Sequence, residues 1–353
     1  MVLSMKSALV TWAWLAIFAT GRIAAAQAPH KVIFDTDFAM PPTDDGLALV
    51  LALNSPELEI LGVTTVAGNE SMEKATVDAL RLLEIAGRPE IPVYKGANLP
   101  LVHEKSDYAT RMHGRWWSDD PPVAPPGGFA QKMPERESGM EFIVRTVTAR
   151  PGEISILAIG PLTNVAMAIR QEPGFAERVK EIVIMGGAVA AIPDGAGNVT
   201  PNAEFNFWVD PEAAKVVLRS AIPRIMLSPL NVSRKTALTK DWYEKMVSVD
   251  TPITRLFRET LGSRFAQDPS RRMLMYDQVA VASLIDPTLV KTAELYVDVD
   301  ANRGLNYGVS VGGREIWPGA EGARTMTVQH DLDWERFIKM FVERVSRATR
   351  PSQ

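Results

Sequence analysis

Residues 31–53 read KVIFDTDFAMPPTDDGLALVLAL. Val32, Ile33 and Phe34 make a short apolar run of strand character that ends in Asp35 and Asp37. A six-residue loop follows, and Asp44 and Asp45 then open an apolar run of helical length. Four carboxylates therefore share one strand-to-helix turn, where they repel each other unless positive charge sits among them. A hard cation is the simplest answer. Calcium takes six to eight oxygen ligands at about 2.3 to 2.6 Å, and a turn at the carboxyl end of a parallel strand can supply several of them. Taken singly, each Asp also suits a turn or helix start, where it caps free amides and meets the positive end of the helix dipole. DxD strings also serve phosphoryl chemistry through magnesium.

Apolar strand patterns alternate with amphipathic helical patterns along the rest of the chain. Strands are predicted at 32–34, 58–66, 91–94, 154–159, 181–185 and 224–227, and helices at 72–86, 137–149 and 211–220. The expected fold class is α/β, with a mainly parallel (mixed) central sheet flanked by helices. No repeat and no break in composition divides the sequence, so residues 27–353 are expected to form a single domain. The segment 103–136 breaks the alternation. It carries His113-Gly114, Trp116-Trp117 and a Pro/Gly-rich run from Pro121 to Gly128, and reads as an active-site lid or an insertion.

Lys6, an apolar run from Ala8 to Ala19 and the small residues Ala24-Ala25-Ala26 have the form of a secretory signal peptide, residues 1–26, cleaved before Gln27. An uncleaved anchor is the alternative. Removal of 26 of the 353 residues leaves 327, and loss of Lys6 and Arg22 takes the formal charge from −4 to −6. That acidity argues against a nucleic-acid partner. The chain has no Cys and only four His, at 30, 103, 113 and 330, with no HExxH string. Thiolate and zinc chemistry are thereby disfavoured, and oxygen ligands are what remain. The expected location is secreted or periplasmic, with no membrane contact after cleavage.

Several further strand ends are polar. Thr64-Thr65-Val66-Ala67-Gly68-Asn69, Ile159-Gly160-Pro161-Leu162-Thr163-Asn164 and Met185-Gly186-Gly187 each close a predicted strand. Asn198-Val199-Thr200-Pro201-Asn202-Ala203-Glu204-Phe205-Asn206 follows a Gly-rich stretch, and Tyr276-Asp277 precedes an apolar helix. Glu204 and Asn206 flank Phe205 with strand-like alternation, which places both on one face. Asn69 and Asn198 each follow a Gly and also suit left-handed turn positions. Asn164 reads as structural, near a helix start.

In this order, the DTD and DD pairs, VAGN, GPLTN, MGG, NVTPNAEFN with VDPEAA, and the Asp before VAVASLIDP resemble the inosine-uridine-preferring nucleoside hydrolases over roughly residues 32–337. The resemblance implies hydrolysis of a ribosyl N-glycosidic bond with Ca2+ as cofactor. It implies that Asp37 ligates the ion and acts as general base. Asp45, Asp277 and the carbonyl of Ile159 complete the metal set. Asp44, Asn69, Asn198, Glu204 and Asn206 hold the ribose hydroxyls, and Asp35 supports the metal from behind. A small-molecule nucleoside as partner and a homo-oligomer are implied as well.

Two features depart from the family's common pattern. The loop from Asp37 to Asp44 has six residues where three are common, and Tyr276 stands where well-known members carry a His that protonates the leaving base. A phenol of ordinary pKa about 10 is poorly matched to that task. The alternatives are stacking of the base on Phe205, Phe207, Trp208, Trp116 or Trp117, and protonation by solvent or by His113, which stands at a position resembling one near the base. His330 reads as structural. Members that lack the His lean toward purines, which is the preference expected here. A ribose- or nucleoside-binding protein with a retained metal site is the competing reading, and a magnesium phosphohydrolase a weaker one. Asn-x-Ser/Thr strings occur at Asn69, Asn198 and Asn231. Glycans at the first two would fill the proposed site, which favours a bacterial periplasm.

Overall fold

A computed structural model describes residues 28–104, 106 and 120–349. His113, Trp116, Trp117 and residues 1–26 therefore lie outside the described residues. Nine strands form one sheet: β1 (His30–Thr36), β2 (Leu58–Thr65), β3 (Val93–Lys95), β4 (Ile154–Ala158), β5 (Glu181–Met185), β6 (Ile225–Ser228), β7 (Val290–Val299), β8 (Ser310–Gly313) and β9 (Arg324–Leu332). The order is β3-β2-β1-β4-β5-β6-β9-β7-β8. Every pair from β3 to β9 is parallel, whereas β7 runs antiparallel to both β9 and β8. The expected mixed, mainly parallel α/β sheet is what forms.

The centre of the sheet is covered on both faces, as an all-parallel arrangement requires. In β1, Val32 and Phe34 join one apolar cluster and Ile33 joins the other, so alternate side chains feed two cores. β4 and β5 are buried at every position. Two helices on one face, Asp44–Leu53 and Asp277–Ile285, are apolar almost all round and pack against each other. A helix without a polar stripe belongs inside, and burial of each Leu or Val stabilises the fold by about 1.5 to 3 kcal/mol.

The connection from β1 leads to β2 on one side, while β4 is its neighbour on the other. That reversal opens a crevice at the carboxyl ends of β1 and β4, the topological switch point where open α/β sheets bind ligands. Among the described residues no helix is long and apolar enough to cross a membrane. A mixed sheet is expected from the sequence, but the strands that make its antiparallel end, β7 to β9, are not among the predicted ones. Along β7 exposed and buried positions are mixed, which is the pattern of a half-solvated strand rather than a buried parallel one.

Candidate active site

The switch-point crevice is a cleft of about 400 Å3 lined by Asp44, Asn69, Ile159, Met185, Asn198, Val199, Glu204, Phe205, Asn206, Tyr276 and Asp277. That volume suits a small organic ligand. All five residues expected to hold a sugar are in this lining, as are Ile159 and Asp277. Asp37 and Asp45 are fully buried.

Asp37 follows β1 and is clamped from two sides. A Cβ on Gly68 would stand 2.1 Å from Asp37 Oδ2, and one on Gly160 would stand 2.6 Å from the Asp37 nitrogen. The strand ends after β2 and β4 therefore need glycine to let the carboxylate in. Asp37 Oδ2 accepts the Asn69 backbone N–H at 2.6 Å, while Oδ1 is buried with no hydrogen-bond partner. Such an orphan acceptor is costly unless a ligand meets it. Gly68→Ala is expected to displace Asp37 and, if Asp37 takes part in the reaction, to lower kcat by about a hundred-fold or more. Steady-state kinetics beside a thermal melt that shifts by only a few degrees would check this; unchanged kcat would contradict it.

Asp44 and Asp45 open the helix Asp44–Leu53, and Asp277 opens the helix packed beside it, so two neighbouring helix starts bring three acids together. Ligand oxygens of Asp44, Asp45 and Asp277 lie within 4.8 Å of one another. Asp45 Oδ1 accepts from Thr36 Oγ1 at 2.6 Å, and its Oδ2 accepts from Asn69 Nδ2 at 2.9 Å. Asn69 thus ties Asp37 to Asp45. Burial, then the Asp45 charge, pushes Asp37 well above the ordinary carboxylate range. Burial, then the Asp44 charge, does the same to Asp277. Burial raises Asp45 to about 6, and burial with the Asp45 charge raises Asp44 to about 7. The hydrogen-bond partners of Asp37 and Asp45 are a hydroxyl and amides rather than cationic side chains, so the group as it stands is under-compensated. An all-oxygen donor set with an orphaned buried carboxylate oxygen fits a hard divalent cation.

Behind Asp37, Asp35 is anchored by Thr64 Oγ1 and by Asn164 Nδ2 at 2.7 Å, and burial raises it to about 6. Asn164 also accepts the Ala97 N–H at 2.8 Å and donates to the Thr65 carbonyl. It is structural, in the service of this carboxylate.

The far wall corrects two readings. Glu204 and Asn206 are not on a strand: Glu204 is the N-cap of the helix Phe205–Val209, with Oε1 accepting from Asn206 N at 2.8 Å and Oε2 from Phe207 N at 3.1 Å. Gly187 N also donates to Oε2 at 2.9 Å, so three of roughly four acceptor positions are filled and Glu204 is held rigidly. Asn206 Nδ2 donates to the carbonyls of Ile159 at 3.2 Å and Met185 at 3.1 Å, joining the ends of β4 and β5. Neither Asn69 nor Asn198 is left-handed; among described non-glycine residues only Asp194 has positive φ, 65°.

Of the aromatic candidates, Phe205 and the half-buried Tyr276 line the cleft. Phe207 is core, and Trp208 packs edge-on against His103 with centroids 4.7 Å apart. His103 Nδ1 donates to the Val209 carbonyl at 3.0 Å, and burial lowers its pKa. Neither His103 nor His330, which belongs to β9, faces the cleft. Burial and the Asp44 charge raise the Tyr276 phenol above its usual value, which makes it a weaker acid still. The described part of the irregular segment, residues 103, 104, 106 and 120–136, has no helix or strand and no residue in the cleft lining. Gln131 N donates to Glu84 and Arg81 to the Pro126 carbonyl, which hold it along the helix Met72–Ile85. In the six-residue loop, Phe38, Ala39 and Met40 are buried, and Thr43 Oγ1 donates to the carbonyls of Ala39 and Met40. The first half of the loop thus packs into the core, and no residue from 38 to 43 lines the cleft.

A switch-point cleft floored by acids and walled by amides and a capped glutamate is suited to hydrolysis of a small, hydroxyl-rich ligand. The sequence profile of the inosine-uridine preferring nucleoside hydrolases matches residues 32–339. The pyrimidine-specific ribonucleoside hydrolase RihB of Escherichia coli O17:K52:H18 is 34% identical over 312 residues, covering 86% of this chain and 94% of that protein. Among solved structures, the plant nucleoside hydrolase PpNRh1 superposes with a TM-score of 0.76 at 30% identity, covering 90% of this chain and 99% of its own. The purine-preferring ribonucleoside hydrolase from Gardnerella vaginalis gives 0.75 at 29% identity, covering 90% and 98%. The chain belongs to the inosine-uridine preferring nucleoside hydrolase family, and it is an enzyme of that class.

Proposed function

We propose that this enzyme hydrolyses the N-glycosidic bond of ribonucleosides with calcium held by Asp37, Asp45, Asp277 and the Ile159 carbonyl, and with Asp37 as the base that activates water. The observation that carries the reading is Asp37 Oδ1, buried and without a hydrogen-bond partner at the switch point. Calcium, when bound, supplies Lewis acidity and orientation to a water, and its charge compensates the acids. Asp37 takes the water's proton, with its carboxylate oriented by the Asn69 N–H on Oδ2. Departure of the base leaves positive charge on the sugar, which the surrounding carboxylates stabilise. Asp44, Asn69, Asn198, Glu204 and Asn206 orient the ribose, and Asp35 steadies the floor from behind.

Tyr276 is assigned a packing role against the base, since its phenol is raised rather than lowered. Without a positioned acid, a purine leaves more easily than a pyrimidine because its imidazole nitrogen can take a proton from water, so inosine is the expected better substrate. The named relatives divide between the two classes. A reducing-sugar assay on inosine and uridine tests the reading: free ribose supports it, and binding without ribose release overturns it. Tyr276→Phe is expected to stay within about three-fold of wild type, whereas loss of a general acid costs about a hundred-fold. A hundred-fold defect confined to natural nucleosides, with p-nitrophenyl riboside spared, would show the phenol to be the acid. We further propose export with cleavage before Gln27, which N-terminal sequencing of the mature protein checks.

A further inference from the structure

Residues 189–204 carry Asn198 and Val199 to the cleft without any helix or strand of their own. Backbone bonds close residues 197–203 on themselves, with Asn198 N–H and Val199 N–H donating to the Ala203 carbonyl, and the stretch before them is held by side chains from elsewhere. Asn231, fully buried in the helix Leu230–Ser233 after β6, supplies much of that hold. Its Oδ1 accepts the Val189 N–H at 2.9 Å, and its Nδ2 reaches the carbonyls of Val189 at 3.0 Å, Ile192 at 3.3 Å and Pro193 at 2.7 Å. Three residues on, Arg234 donates to the carbonyl of Asp194 at 2.7 Å and of Gly197 at 2.9 Å, the latter immediately before Asn198. A Cβ on Gly195 would meet the Val189 carbonyl oxygen at 2.5 Å, and one on Gly197 would meet the Ala203 and Thr200 oxygens at 2.3 Å. The loop is therefore folded tightly onto itself and clasped from one side. Neither Asn231 nor Arg234 lines the cleft.

We propose that Asn231 and Arg234 are positioning residues that clasp residues 189–197 and thereby set where Asn198 meets the nucleoside, so that they govern substrate affinity without touching substrate. The proposal rests on the reading that Asn198 holds the sugar. It also gives a structural role to the third Asn-x-Ser/Thr string, whose Asn231 is too deeply buried and bonded to carry a glycan in the folded chain.

The test is steady-state kinetics of the full enzyme on inosine with Arg234→Met, Arg234→Lys, Asn231→Leu, Asn198→Ala and the double variant Asn198→Ala/Arg234→Met. Arg234 is half-buried, so its variants keep the test alive if Asn231→Leu fails to fold. Arg234→Met is expected to raise KM about ten-fold or more with kcat within about three-fold, and Arg234→Lys to recover part of that loss. In the Asn198→Ala background Arg234→Met should add less than about two-fold, because nothing is left for the clasp to position. Full additivity, or an unchanged KM in Arg234→Met while Asn198→Ala raises it, overturns the clasp alone. An unchanged KM in Asn198→Ala removes the sugar-binding reading and the clasp with it.

Discussion

Asp37→Asn is expected to lower turnover by about a thousand-fold or more while, in chelator-treated protein, raising the melting temperature. The two effects come from one carboxylate. On the proposed reading it is the base that takes the water's proton, and loss of a general base costs about a hundred- to ten-thousand-fold; on the same reading, loss of a negative ligand lowers occupancy of the site as well. As a buried charge beside Asp45, it is a source of repulsion that an isosteric amide relieves. The sign of the pH dependence follows. Asp35 and Asp45 are raised to about 6 and Asp44 to about 7, so the folded protein binds more protons than the unfolded chain from about pH 4 upward. Stability must then fall as pH rises through that window, because it falls wherever the native state binds the extra protons. Chelator-treated wild type should melt higher near pH 5 than near pH 8, and added calcium should flatten the difference. A differential scanning series with and without calcium measures both. An Asp37→Asn variant that keeps near-wild-type turnover, or a chelated enzyme more stable at pH 8 than at pH 5, would sink the assignment of this cluster.

What was legible in the sequence was the part fixed by strand ends. An apolar run stopping at Asp35-Thr36-Asp37, another at Thr65 and another at Ala158 place their next polar residues at one edge of a parallel sheet, whatever the details between them. The joining of Asp277 to Asp45 was expected from the family resemblance alone, and the structure gathers Asp44 with them because two apolar, buried helices start side by side. The wall opposite was less legible because its elements are shorter than the patterns used to find them. A helix of five residues, Phe205–Val209, shows too little of a 3.6-residue period to be told from alternation, and its one signal was an acid at the cap, Glu204. Asn231 looked like a glycosylation string and proved to be a buried clamp; no local pattern separates the two, since its partners lie some forty residues earlier in the chain. Phe207 and Trp208 were equally ambiguous, as an aromatic beside a site and an aromatic beneath it are written the same way. The strands of the antiparallel end, β7 to β9, take no part in the cleft, so their omission left the site intact.

Hydrolysis of 2′-deoxyinosine is expected to be slower than that of inosine by about ten-thousand-fold in kcat/KM, the discrimination reached by sites built to bind a hydroxyl. The cleft explains why rejection should be this strong. Glu204 already accepts three backbone N–H groups and cannot turn away to find water, and Asn206 is fixed by the carbonyls of Ile159 and Met185. Asp44 is tied through its own helix start to the acids around it, and its half-buried carboxylate has an elevated pKa that reflects scarce solvation. A sugar lacking one hydroxyl therefore leaves a rigid acceptor without its donor, in a place where water cannot enter freely once the base is seated. The penalty should be largest in kcat/KM and should appear with every base, because on the proposed reading the groups responsible face the sugar. Asp44→Asn tests the cause separately from the effect. If this carboxylate reads the hydroxyl, the variant should lose most of its rate on inosine while losing little on deoxyinosine, shrinking the ratio by about a hundred-fold, as expected when one of several hydroxyl contacts is removed. Equal rates of wild-type enzyme on the two substrates, or an inosine-to-deoxyinosine ratio unchanged by Asp44→Asn, would place sugar recognition elsewhere in the cleft.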